Sequence, residues 1–125
     1  MKKVFRLIPA VIFASLSSCE ILDEGGTGTY MVGISNSTNT NYHIQIHIDG
    51  VKRGDAFPKA NQLSSFAGDC NDISYSMSKD YIGIVYDVET GNHKVELIDA
   101  TNNRVMSRAS FTMVSDGCVT QLAEF

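Results

Sequence analysis

The feature that most constrains this chain is alternation. In "YHIQIHID", Tyr42, Ile44, Ile46 and Ile48 fall on one side of an extended backbone, and His43, Gln45, His47 and Asp49 on the other. A period of two is the signature of a strand with one buried face. Asp49-Gly50 follows as a hairpin turn, since glycine accepts the positive φ that a tight turn requires.

The same pattern recurs along the chain. "YMVGIS" puts Tyr30, Val32 and Ile34 on one face, and "NSTNTN" after it is a polar turn cluster. Further runs are "DISYSM" (Ile73, Tyr75, Met77), "YIGIVYDV" (81–88), "HKVELIDA" (93–100), "RVMSRASFTMV" (104–114) and "CVTQLAEF" (118–125). The gaps "ETGN", "TNN" and "SDG" carry turn chemistry. No segment after residue 28 keeps a helical period over ten or more residues. About seven short strands in some hundred residues predict an all-β, antiparallel β-sandwich of immunoglobulin-like or transthyretin-like type over residues 29–125.

The N-terminus is of another kind. "MKKVFR" is positively charged, and "LIPAVIFASL" is apolar but too short to span a bilayer as a stable helix, which together read as an export signal. Its end, Leu16-Ser17-Ser18-Cys19, resembles the lipobox of bacterial lipoproteins: an aliphatic residue, two small residues, then cysteine. The resemblance implies that residues 1–18 are a lipoprotein signal peptide. It also implies that the Cys19 thiol receives a diacylglycerol and that Cys19 becomes the first residue of the mature chain. The alternative is an ordinary cleaved signal peptide, with Cys19 a free thiol or a disulfide partner. An odd cysteine count in an exported protein calls for a partner or a modification, and this chain has three. With Cys19 lipidated, Cys70 and Cys118 are left to pair in an oxidising compartment, closing a 48-residue loop worth about 4 kcal/mol in the chain-entropy model.

Residues 1–18 hold three positive charges and no negative one, so the mature 107 residues carry 7 Lys and Arg against 14 Asp and Glu, a net charge of −7. Such a surface repels nucleic acid and anionic headgroups, so the expected membrane contact is the lipid anchor alone. "EILDEGGTGT" (20–29) reads as a flexible acidic tether, placed at residues 19–28. Its acidic residues also resemble the surface-export signal of Bacteroidota lipoproteins, interrupted here by Ile21 and Leu22. "IDGVKRG" (48–54) and "GNHKVEL" (91–97) resemble the hairpin and strand of PEGA-type and related carbohydrate-binding-like sandwiches. That resemblance implies turn roles for Gly50, Gly54 and Gly91 and core roles for Val95 and Leu97. The long interval 55–90 departs from the PEGA repeat and is closer to small Bacteroidota lipoproteins.

Chemistry is sparse. His43 and His47 face the same way on a strand but stand about 13 Å apart, too far for one ion. His93 sits at a turn. Asp69, Asn71 and Asp72 form a D-x-N-D string that lacks the glycine and distal glutamate of a calcium loop. No serine occupies a G-x-S-x-G elbow, and Asp69, Asp72, Asp80 and Asp87 fall near turns or on polar faces. Asn36-Ser37-Thr38 is formally a glycosylation sequon. These absences predict no catalytic residue, no metal and no cofactor. Phe57-Pro58 and Phe66 lie in the unpatterned stretch 55–67, suited either to recognition or to capping an end of the sandwich. The functional expectation is a lipid-anchored, non-catalytic binding or accessory module of the cell envelope, at the outer membrane, with a protein or glycan partner. The alternative is an inhibitor or immunity lipoprotein that inserts a loop such as 55–67 into a secreted enzyme.

Overall fold

The computed structural model describes residues 25–66 and 70–125, with Asp72 described by its backbone alone. The expected signal peptide, Cys19, most of the expected tether and Asp69 lie outside the described residues.

Among the described residues, seven strands make two sheets. β1 (Thr27–Ser35) is the middle strand of a three-stranded sheet, between β4 (Ile82–Glu89) and β7 (Cys118–Glu124). The second sheet runs β3 (Val51–Ala56), β2 (Ile44–Ile48), β5 (Gly91–Asp99), β6 (Arg104–Met113), antiparallel throughout. The two pack as an all-β sandwich, as the alternation predicts.

The inner faces are the apolar positions of the alternating runs. Ile44, Ile46 and Ile48 from β2 meet Tyr30, Val32 and Ile34 from β1, with Val85, Val88, Val95, Leu97, Phe111 and Met113 completing one core. The Tyr30 and Phe111 rings stack with centroids 4.5 Å apart, and burial pushes the Tyr30 hydroxyl pKa up. Val95 and Leu97 occupy the core positions that the PEGA resemblance implies. Asp49 and Gly50 both take positive φ, as a type I′ hairpin demands, and Gly91 has φ +123° at its turn. Gly54 departs from its expected turn role. It pairs with Ile46 inside β3, where the two sheets approach closely.

Three further departures have physical reasons. β1 pairs parallel, not antiparallel, with β7. The 114–117 turn carries the chain between sheets at the end where β1 begins, so the two strands start side by side. Pairing also takes in Thr27 and Gly28, ahead of the expected start at Thr29. The third concerns "DISYSM", which is not a strand. Cys70–Asp72 form a 3-10 turn and Ile73–Met77 a short helix, α1. Its apolar alternation has no core to face, since Tyr75 and Met77 are 63% and 64% exposed.

The segment between β3 and β4 covers the outer face of β1. Met31 is fully buried there, and the Phe66 ring lies against Gly33, where a Cβ would come within 2.7 Å of it. β1 is therefore buried on both faces. Cys70 is disulfide-bonded to Cys118 and pins this cover to β7. No helix among the described residues is long and apolar enough to cross a membrane.

Candidate functional site: the loop pair opposite the tether

β1 begins at Thr27 and ends at Ser35, eight residues on. At about 3.3 Å per residue the two ends stand roughly 26 Å apart. At the far end the chain turns at Asn36, which is fully buried. Its side chain is the hub of two loops, residues 37–41 and 57–66. The Nδ2 group donates to the Thr40 carbonyl at 2.8 Å and the Lys59 carbonyl at 3.0 Å. Oδ1 accepts from the Thr38 hydroxyl at 2.6 Å and the Thr38 amide at 3.0 Å. A buried amide with all its bonds made is stable and demanding: nothing of another shape replaces it. A sequon asparagine so enclosed is also closed to glycosylation in the folded protein.

The backbone continues the network. Asn36 N–H donates to the Gln62 carbonyl, Asn61 N–H to Thr38, Gln62 N–H to Lys59 and Tyr42 N–H to Pro58. Ala60 N–H donates to the Asn41 side chain, and Asn61 takes a left-handed φ of 56°. From Asn61 to Phe66 exposure alternates: Gln62, Ser64 and Phe66 turn inward, while Leu63 and Ser65 turn out. Leu63 is 71% exposed, the most of any large apolar residue among those described. Its N–H and C=O have no partner among the described residues.

Of the aromatics that the sequence singles out, Phe57 is 47% exposed at this end, whereas Phe66 is packed on Gly33 and Pro58 is buried. Phe57 stacks on His43, centroids 4.7 Å apart. His43 Nε2 bonds Asp55 Oδ1 at 2.9 Å, and Lys52 Nζ reaches the same oxygen at 3.2 Å. Partial burial raises the Asp55 pKa, but these two partners together hold it below the ordinary carboxylate value. Lys59 pairs with Asp80 at 3.0 Å across the base of the loop.

The other histidines lie apart. His47 bonds Gln45 on its own strand at 3.1 Å. His93 is well enclosed, with Nδ1 on Asp49 Oδ2 at 2.6 Å and Nε2 on the Glu89 carbonyl at 2.7 Å. Asp49 also accepts the Lys94 N–H at 2.9 Å, so one carboxylate ties the β2–β3 turn to β5. That amide, then His93, lower the Asp49 pKa. Burial alone would lower the His93 pKa, but Asp49 and the Glu89 carbonyl outweigh it and raise it. With both ring nitrogens engaged and no hydroxyl on either, His93 serves as a clamp.

Asp87 sits at a β-bulge opposite Thr29 with φ 56°, and Arg53 donates to the Tyr86 and Asp87 carbonyls that the bulge frees. Among the described residues no group of three or more His, Cys, Asp or Glu side chains is placed to hold a metal ion. Asn71 lines a cleft of about 470 Å³ beside the disulfide, with Tyr86, Asp87 and Asp116.

Of the stretch 55–67 that the sequence singles out, Phe57 is exposed at this end. The sequence reading does not single out Leu63, and it takes Asn36 as part of a sequon rather than as a hub. The one available signal was a lone leucine among small and polar neighbours in "NQLSSF". No protein-family model matches the chain, and no curated protein or solved structure shows significant similarity to it.

Proposed function

We propose that this protein is a lipid-anchored binding module of the bacterial cell envelope. It is held at the outer membrane through Cys19 and recognises a protein or glycan partner through the loop pair around Asn36, without catalysis. The observation that carries this reading is placement. Thr27, on the side of the chain that leads back to Cys19, begins β1 at one end, while the bonded loops and their exposed Leu63 and Phe57 stand at the other. Binding loops on a rigid scaffold are the usual way a small sandwich recognises a partner. The Cys70–Cys118 bond supports the anchor, because it leaves Cys19 as the one cysteine still to be accounted for.

Two measurements on cells expressing the full chain test the proposal. Labelled fatty acid should enter the wild type and not Cys19→Ala, and only the wild type should follow the detergent phase. Label in the mutant contradicts the anchor. Envelope extract passed over the immobilised mature protein should leave a partner that a variant with Gly-Ser repeats at residues 62–65 does not retain. Equal retention by both contradicts the loop assignment.

A further inference from the structure

The exposed part of the loop has a more specific geometry than a general binding surface needs. Exposure alternates across residues 62–66, with Leu63 and Ser65 turned out and Leu63 foremost. The segment is fixed on both sides of that leucine. Gln62 is held through its carbonyl by Asn36 N–H and through its own N–H by Lys59. Ser64 N–H donates to Ser35 Oγ at 3.3 Å, Phe66 N–H donates to Ser64 Oγ at 3.1 Å, and the Phe66 ring rests on Gly33. Between these anchors the Leu63 N–H and C=O take no partner among the described residues. They are free to pair with an edge strand of another protein, as an extended substrate does. Ser64 and Ser65, on the carboxyl side of the leucine, are small and leave room for close backbone approach there.

From this we infer that Gln62–Phe66 is a substrate-like insert. Its partner is an endopeptidase whose specificity pocket takes a leucine-sized apolar side chain, and the insert blocks that enzyme. The inference deepens the binding-module reading and rests on it for the role of the loop.

The chemistry follows from the anchors. In a serine enzyme the hydroxyl oxygen adds to the Leu63 carbonyl carbon, the Leu63–Ser64 bond breaks, and the proton passes through the enzyme's base to the Ser64 nitrogen. In a free peptide that amine diffuses away. Here Ser35 and Phe66 hold Ser64 in place, so the same nitrogen can attack the acyl group, remake the amide and return the hydroxyl to the enzyme. An insert already in its bound shape also loses little conformational entropy on docking.

Chymotrypsin and subtilisin, which accept leucine, and trypsin, which requires a basic side chain, are suitable probes against chromogenic peptide substrates. The purified mature protein should inhibit at least one of the first two about 100-fold more tightly than trypsin, with the Leu63–Ser64 bond largely intact after hours. Leu63→Ala should weaken inhibition at least about tenfold, and Leu63→Lys should move it towards trypsin, both variants keeping the wild-type circular dichroism. The inference is overturned by rapid, complete cleavage after Leu63. It is equally overturned by inhibition that Leu63→Ala leaves unchanged, or by no inhibition of either leucine-accepting enzyme at about 10 μM. Cys19→Ala should inhibit as the wild type does, so failure here leaves the anchor standing, and failure of lipid labelling leaves this inference standing.

Discussion

Two polar clusters tie turns to the sandwich, and they do it by opposite means. At the end where β1 finishes, the uncharged Asn36 side chain is fully buried and makes four hydrogen bonds to two loops. At the end where β1 begins, His93 and Asp49 join the β2–β3 turn to β5 by an ionisable pair whose carboxylate is half exposed. A neutral buried hub is costly to break and indifferent to pH. A partly solvated pair is worth less, and its contribution follows its protonation. The loop pair around Asn36, which we propose for recognition, thus has the support that does not change with conditions.

The largest expected effect is common to both clusters and sets their scale. Replacing Cys70 and Cys118 by serine opens a 48-residue loop and should cost about 4 kcal/mol, equally at acid and alkaline pH, in urea unfolding. Asn36→Ala strands the Thr40 and Lys59 carbonyls and the Thr38 amide and should cost about 3 kcal/mol. That loss should also be flat with pH; a loss that varies with pH would erase the contrast between the clusters.

The Asp49–His93 pair should behave differently. Asp49 is held below its ordinary pKa, so its contribution is present above about pH 4 and disappears as pH falls through the folded value. The His93 pKa is raised, so its contribution is complete below about pH 6.5 and disappears as pH rises through the folded value. The pair stabilises most between those limits. Asp49→Asn should therefore lose more stability at about pH 5.5 than at about pH 8.5, by less than Asn36→Ala loses at either. Equal losses at the two pH values would show that the His93 charge adds nothing to the contact. Leu63→Ala comes last: with the side chain in solvent, its stability should stay within about 0.5 kcal/mol of the wild type.

Much of this architecture is legible in the residues. Ile44, Ile46 and Ile48 give β2 its inner face, and Asp49-Gly50 gives the hairpin, because period and turn chemistry are local properties. What could not be read depends on chain paths. Met31 looks outward by alternation, yet it is buried because a distant segment folds back over β1. The Ile73, Tyr75, Met77 alternation matches a strand, but Tyr75 and Met77 find no core to face and stay in solvent on a short helix. Asn36 reads as one turn residue among six. Only the return of residues 57–62 makes it a hub.

Whether the loop is built before any partner arrives is decided most directly by native-state amide hydrogen exchange on the mature protein. The Asn36, Asn61 and Gln62 amides, which donate to Gln62, Thr38 and Lys59, should be strongly protected, and Leu63, between the anchors, should exchange at the rate of a free peptide. Exchange at free-peptide rates across all of residues 59–66 would contradict a preformed insert.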